Sequence, residues 1–581
     1  MSTNSYNQND YKLYYWLTLL ALFIFSLIAG VWGFQNYFNQ HGEEYNWFRS
    51  IYRTIQLFAL EGGDLKSPIP WELQLTRFGA PLVTALTVII ALLAIFKEQW
   101  IRMKIARMKN HVVIIGFGTK GKNVMEETLR KKGKVLVVEK DSLNPNLVSI
   151  KPPGSLLLLG DANSKEVFIK ARITKAQSVF LLMGDDTTQV NACLQIYKLI
   201  LESRRSETIP LNCIMHLQNQ DFLTILRSHN MVRDTHDGFT LNIFNIFENS
   251  ARELFEDNPP DQSGITLNSK YYVRIIIFGF GKAGEALALQ TALTGHYLND
   301  KKPQIIIIDR LAEEKEQDFR ERYPTFTNFC DLKYLALEAN NPQIIQHLVK
   351  ILAEPHALNT LVLCFDNKTH NLLLGIQLES LKFFESDKSP NIFVRTNDNE
   401  TFTTFSSKLK PYGLPSKVCS YEAIMRGDMD RIAQARHSNY INRRKNNSDF
   451  GIKESDVSWE NLSQDYKDSN RKAADHIGVK MRSIGCEIVS NDDPRPSAKF
   501  TKEEIELLSK LEHSRWYAER SLAGWTFDNQ SNDQTRKTPY LVEWSKLPNN
   551  IQDYDKETII DIPAVLGLIG MKVVRQEKKT T

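Results

Sequence analysis

His111-Val112-Val113-Ile114-Ile115-Gly116-Phe117-Gly118-Thr119-Lys120-Gly121 decides the fold of most of this chain. The first five residues read as a buried strand, three glycines follow in the spacing GxGxxG, and Asn123 to Arg130 reads as a helix. A second strand, Val135 to Val138, ends in an acid, Glu139. Strand, glycine turn, helix and acid in that order form a dinucleotide fingerprint. The glycines permit a tight turn and let a phosphate reach a helix N-terminus, whose free N–H groups and dipole favour an anion. Gly116, Gly118, Thr119 and Gly121 are the phosphate-side candidates, and Glu139 is the expected acceptor for a ribose hydroxyl.

From Tyr272 the pattern restarts. Val273 to Phe278 runs into Gly279-Phe280-Gly281-Lys282-Ala283-Gly284, and the strand Gln304 to Ile308 ends in Asp309. Gly279, Gly281, Gly284 and Asp309 are therefore a second set. A further echo matches Met183-Gly184-Asp185-Asp186 and Asn191 with Cys364-Phe365-Asp366-Asn367 and Asn371. Together with Gly160-Asp161-Ala162 after the third strand, residues 111–250 resemble an RCK domain of the TrkA N-terminal type, and residues 272–415 resemble a more divergent copy. The resemblance implies Rossmann-like α/β folds in tandem, a homotetramer whose RCK pairs form a ring, and binding of NAD(H), an adenine nucleotide or a divalent cation; a small nucleotide-type ligand is the expected partner, with Asp161 among the contacts.

Trp16 to Phe34 and Phe78 to Phe96 carry no formal charge, and each is long enough to span a bilayer. The first lacks the basic n-region of a signal peptide. Arg102, Lys104, Arg107 and Lys109 follow the second and assign that side to the cytosol. Residues 1–110 are thus expected to be an α-helical two-span domain of the inner membrane, with both termini cytosolic and residues 35–77 outside. Within that outer segment Trp47 to Leu60 reads as a short amphipathic helix leading into Glu61 and a proline-bearing return, the outline of a re-entrant pore loop over 47–70. Ala59-Leu60-Glu61-Gly62-Gly63-Asp64 stands where potassium channels carry Thr-Val-Gly-Tyr-Gly-Asp. Only the second glycine and the Asp match, and Glu61 in four copies would make a carboxylate ring.

At the C-terminus, Leu511-Glu512-His513-Ser514-Arg515-Trp516, Arg520, Gly524-Trp525, Pro539-Tyr540-Leu541-Val542 and Trp544 with Leu547 resemble the RyR domain, the repeat of ryanodine receptors, over 501–571. Residues 421–490 read as a degenerate copy, since Trp459, Leu462 and Gly485 repeat the spacing of Trp544, Leu547 and Gly570, and His437-Ser438 mirrors His513-Ser514. Both are expected to be small and mainly α. The later copy keeps His513, Trp516, Arg520, Trp525 and Trp544, planar faces with a cation that suit a planar anion. The earlier copy reads as a packing partner, with Trp459 in its core.

The remaining composition excludes more than it proposes. With 72 basic and 68 acidic residues spread along 581 positions there is no basic tract for nucleic acid. Six scattered cysteines make no metal-ligand spacing and read as reduced and structural. No His/Asp or Lys/Tyr set follows either fingerprint, so no catalytic residue is assigned and a nicotinamide-cofactor enzyme is the weakest reading. A ligand-gated cation channel, of the kind that conducts potassium, is the expected function. A pore-less, membrane-tethered nucleotide sensor acting on a separate ion transporter is the alternative, and analogy with RyR modules fused to membrane segments suggests a stress or anti-phage effector.

Overall fold

Both uncharged runs lie inside helices that outlast them. In the computed structural model, which describes residues 8–44, 46–61, 64–151, 154–203, 210–219, 222, 238–338, 342–380, 390–396, 408–419, 430–445, 455–533 and 535–577, α1 spans Gln8–Gln40 and α3 spans Trp71–Ala106, with α2 (Trp47–Phe58) between them. The bilayer-length apolar stretches are Leu17–Gln40 and Trp71–Leu92, displaced from the expected Trp16–Phe34 and Phe78–Phe96. Charge-free runs do not limit a helix whose polar side chains find partners. Glu72, buried in α3, accepts from Asn36 Nδ2 of α1 at 3.2 Å.

The chain divides into two compact units, 1–107 and 108–581. In the first, α1 packs on α2 and α3 around Phe34, Tyr37, Phe38, Leu57, Leu73 and Ala80. A Cβ at Gly30 of α1 would lie 2.4 Å from Thr54 Cγ2 of α2, so glycine sets that close approach. Asn46 caps α2 by accepting from the Phe48 N–H at 3.0 Å. Phe25, Ile28, Phe78, Leu82 and Ile89 point outward, an apolar surface that suits lipid or neighbouring helices.

The second unit holds two all-parallel six-stranded sheets with one topology. The first contains β1 (Val112–Ile115), β2 (Val135–Glu139), β3 (Ser155–Leu159), β4 (Ser178–Leu181), β5 (Leu211–His216) and β6 (Phe239–Phe244), in the order 3-2-1-4-5-6. In the second, β7 (Tyr272–Phe278), β8 (Gln304–Asp309), β9 (Asp331–Ala336), β10 (Ala357–Leu363), β11 (Asn391–Arg395) and β12 (Leu409–Tyr412) repeat that order as 9-8-7-10-11-12. This is the doubly wound order whose ligand crevice lies beyond the strand ends where the order reverses, between β1 and β4 and between β7 and β10. Helices α4 (Thr119–Arg130) and α6 (Asp186–Ser203) start at the first switch point, α8 (Lys282–Thr294) and α11 (Lys368–Glu379) at the second, and α7 (Ile246–Asp257) connects the sheets. The remaining helices of these halves are α5 (Lys165–Lys170), α9 (Ala312–Arg322) and α10 (Pro342–Leu352), with α12 (Pro415–Val418) after β12.

The C-terminal region forms two like modules. The earlier has α13 (Arg431–Lys445), α14 (Gln464–Asp475), α15 (Ile477–Ser483) and β13 (Cys486–Ser490); the later has α16 (Lys502–Leu522), the short strands β14 (Thr526–Phe527) and β15 (Lys537–Thr538), α17 (Asn549–Ile560), α18 (Ile562–Gly567) and β16 (Met571–Arg575). β13 and β16 pair antiparallel with Ile488 opposite Val573, equivalent positions of the two copies, so a pseudo-two-fold axis passes between them. Buried ion pairs hold this region to the second sheet. Arg252 of α7 donates to both oxygens of Asp475 (2.8 and 2.9 Å) and to Asp430 (3.1 Å), and Arg482 donates twice to Asp261 (2.8 and 2.7 Å). All six cysteines are buried and unpaired. The fold class is as read: a helical pair of bilayer-length stretches, tandem α/β sheets and mainly α repeats.

Candidate functional site

β1 delivers the chain to the switch point, and the three glycines there do different work. Gly116 has φ +89°, and a Cβ on it would lie 2.9 Å from the Met183 nitrogen; a Cβ on Gly121 would lie 2.6 Å from the Gly116 oxygen. Both are needed for the turn and for packing α4 on the strand. Among the described residues a Cβ on Gly118 meets nothing within 4 Å, and no side chain caps α4 there. The second copy repeats this arrangement, with Gly279 at φ +90°, a Cβ on Gly284 falling 2.5 Å from the Gly279 oxygen, and Gly281, among the described residues, open and uncapped at the start of α8. Thr119 is exposed beside Gly118. Each fingerprint thus leaves an open helix N-terminus where a phosphate fits.

The expected ribose acids already accept hydrogen bonds from their own turns. Glu139 Oε2 accepts from the Phe117 N–H (2.8 Å) and Asn144 Nδ2 (3.1 Å), and Oε1 accepts from the Lys140 (2.7 Å) and Asp141 (3.0 Å) N–H groups. Burial alone would raise its pKa, but those donors together hold it below the usual carboxylate range. Asp309 takes the Phe280 N–H (2.8 Å), the Leu311 N–H (2.9 Å) and the Lys315 ammonium (2.6 Å), and it too is depressed against burial. In both copies the acid clamps the glycine turn. Among the described residues only the second acid is neutralised by a lysine. Asp161 is half-buried and bound to Lys140 at 2.8 Å.

Strand register also corrects the asparagine echo. Asn371 is buried and donates to the Phe365 oxygen at 2.9 Å, but Asn191 is exposed. Its counterpart is Gln189, buried, donating to the Met183 oxygen at 3.1 Å. Met183 and Phe365 each pack on the first glycine of their copy. The chain also brings Lys120 to the first switch point, its Nζ 3.1 Å from Nδ1 of buried His216. Burial lowers both pKa values, and Lys120 further depresses His216. Nothing in the GxGxxG spacing marked that pair.

In the later C-terminal copy, Arg520 lies over Trp525 (4.6 Å to the ring centre) and Trp516 (5.7 Å), and its Nε is buried without a hydrogen-bond partner among the described residues. The earlier copy explains this vacancy. There Arg444 lies 5.6 Å over Tyr440 and is paired with Asp456 at 2.6 Å; the position of Asp456 in the later copy is Leu541. His513 belongs to the frame. Its Nε2 donates to the Val542 oxygen at 2.7 Å and its ring lies 6.0 Å from Trp544, and His437 does the same with Val457 (2.7 Å) and Trp459 (6.1 Å). Trp544 donates to Glu506 at 3.3 Å. Trp459 is half-buried, not core, because the short helical turn carrying it packs on one side only. Missed in the sequence is the buried network of Glu512 with Lys480 and Arg515, which extends from Arg515 to Glu519 at 2.6 Å.

In the first unit Ala59 caps α2, Leu60 turns the chain at φ +64°, and the Glu61 N–H donates to the Gln56 oxygen at 3.0 Å. Glu61 and Asp64 are exposed; Gly62 and Gly63 lie outside the described residues.

Residues 112–231 match the TrkA-N domain, and residues 498–575 match the RyR domain. The chain carries both modules. Potassium channel protein 1 of Methanocaldococcus jannaschii is 28% identical over 104 residues, which cover 18% of this chain and 31% of that protein. The chain spans less than a third of the length of the curated relatives it matches. Among solved structures, GsuK bound to ADP is similar with a TM-score of 0.38 and 15% identity over 72% of this chain and 99% of that one, and the GsuK channel bound to NAD with 0.38 and 12% over 74% and 85%.

Proposed function

We propose that this chain is the subunit of a ligand-gated cation channel, in which a nucleotide-type ligand on the tandem RCK pair or the RyR module opens a pore built by α1, α2 and α3. The observation that carries this reading is the junction of two kinds of structure in one chain. A capped twelve-residue helix sits between two bilayer-length helices, and downstream of them stand two Rossmann switch points with open glycine turns. The TrkA-N match and the partial likeness to a potassium channel protein support the same assignment. Four copies placed in the inner membrane, with both termini cytosolic, would surround one conduction path. The ligand opens it only by binding the open state more tightly than the closed one. A role as a stress or anti-phage effector extends that reading, since an opened cation path collapses a membrane potential.

Reconstitution into liposomes with an ion-flux readout, across ADP, ATP, NAD(H) and other nucleotides, tests pore and ligand together. Flux that none of them changes would sink the proposal. The departure of Ala59, Leu60 and Glu61 from the potassium filter favours a second reading, a pore-less sensor acting on a separate transporter. That reading predicts nucleotide binding with no flux.

A further inference from the structure

The later C-terminal copy contains a polar pair that the earlier one lacks. His513 donates from Nε2 to the Val542 carbonyl at 2.7 Å, so in the neutral ring Nδ1 carries a lone pair and can only accept. Facing it, 3.7 Å away, is Oδ2 of Asp555, and the two side chains are 6% and 19% exposed. Two acceptors face each other across a desolvated gap, and among the described residues no hydrogen-bond donor reaches the Asp555 carboxyl between them. In the earlier copy His437 makes the same Nε2 bond to Val457 at 2.7 Å, and the residue eleven positions beyond Trp459 is Asn470, where the residue eleven beyond Trp544 is Asp555. Asn470 spends its amide on the Tyr466 carbonyl at 2.9 Å. A neutral amide has been exchanged for a titratable carboxyl opposite an otherwise conserved geometry.

We propose that His513 and Asp555 share one proton, bound as the surroundings acidify and released as they turn alkaline, so that the later copy is a proton-binding site. Burial, more than the balance of surrounding charges, favours the proton. Glu512 from α16 repels a second negative charge, and Arg515 of α16, Lys480 of α15 and Arg436 of α13 oppose it; on α17 itself Asp553, Lys556 and Glu557 are the charged neighbours. Burial, then Glu512, push the Asp555 carboxyl up to about 7 against those three cations, and burial lowers His513. Near neutrality the proton therefore resides on the carboxyl, facing the lone pair of the neutral ring. His513 also stacks on Trp516 at 5.8 Å and 23°, so loss of the proton puts negative charge beside the wall that carries Arg520. That consequence for an anionic ligand rests on the later copy being the sensor; the proton itself does not.

A carboxyl whose folded pKa is raised leaves the folded state holding more protons than the unfolded chain, so stability falls as pH rises from the ordinary carboxylate range to about 7 and is level above. The full-length protein and its Asp555→Asn variant should therefore diverge in thermal unfolding temperature as pH rises from 4 to 7, the variant gaining, with a constant difference above. Asn470→Asp should add a second titration of the same sense through His437, which guards against a variant that merely folds poorly. In spectra of the histidine-labelled protein, one ¹⁵Nδ1 resonance should move through the same window in the parent and stay fixed in Asp555→Asn. A pH-independent difference, or a parent that gains stability over the variant as pH rises, overturns the shared proton; the second outcome would mean a standing imidazolium–carboxylate pair.

Discussion

At the scale of single residues, the two copies of each module act as controls for one another. Gly116 and Gly118 occupy one motif yet predict opposite phenotypes. Gly116→Ala places a side chain at φ +89° against Met183 and should cost about 1–2 kcal/mol for the left-handed backbone, plus roughly 1–3 kcal/mol for overpacking. Gly118→Ala should leave thermal unfolding nearly unchanged, because its Cβ meets open space, and should weaken nucleotide binding measured by calorimetry. Equal loss of stability in both variants would remove the phosphate role. Arg520 has a comparable control in Arg444. Arg520→Ala should abolish the ligand response with little effect on folding, and Leu541→Asp should restore the internal carboxylate partner that Arg444 finds in Asp456, weakening an anionic ligand about tenfold or more. Flux or calorimetry on the two variants checks both. Glu139 adds a pH dependence. Its folded pKa is depressed, so its bonds to the Phe117, Lys140 and Asp141 N–H groups stabilise the turn fully above the ordinary carboxylate range, and that stability is lost as pH falls through the depressed value.

At the scale of elements, legibility tracked how local the determining physics is. The strand-glycine-helix order was readable because turn geometry and buried-strand composition act within a dozen residues. Glu139 and Asp309 were rightly placed at the strand ends, but that each would fold back to clamp Phe117 or Phe280 depends on loop path, which no spacing encodes. The Asn191 echo failed because a helix turns through 3.6 residues, so an offset of two places a side chain on the wrong face. Trp459 was read as core from its kinship with Trp544, and both proved half-buried. Its replacement by Ala should accordingly cost roughly 1–2 kcal/mol rather than the full penalty of a buried aromatic. The contacts between modules were illegible altogether. Arg252 pairs with Asp475 and Asp430 across more than 170 positions. Arg252→Ala would leave Asp475 without its cation in a desolvated seam, while Asp430 keeps Arg471 at 2.7 Å, and should cost about 3–5 kcal/mol. Limited proteolysis should then release the C-terminal region earlier than in the parent; unchanged digestion would show that Arg482 and Asp261 suffice to hold it.

For the whole molecule, the decisive question is whether Glu61 lines a conduction path or decorates a hairpin, and the two readings separate cleanly. Glu61 follows the left-handed turn at Leu60 and is exposed on the single chain. In a tetramer around one axis, four such carboxylates form a ring that attracts cations, so Glu61→Ala should reduce cation flux and cation-over-anion preference in liposomes while ligand affinity, set in the α/β and C-terminal modules, stays as it was. An ordinary outer hairpin gives no change in either. Assembly must be measured alongside, because a ring needs four copies. Light scattering of the detergent-solubilised parent and variant should give a tetramer for both, and a stable monomer of the parent would defeat the pore whatever the flux. Raising ionic strength supplies the last discrimination. Exposed carboxylates act over about 8–10 Å at physiological salt, so high salt should shrink the difference between parent and Glu61→Ala if the ring works by concentrating cations at the mouth. A difference that persists at 1 M salt, where the screening length falls to about 3 Å, places Glu61 in direct contact with the permeating ion.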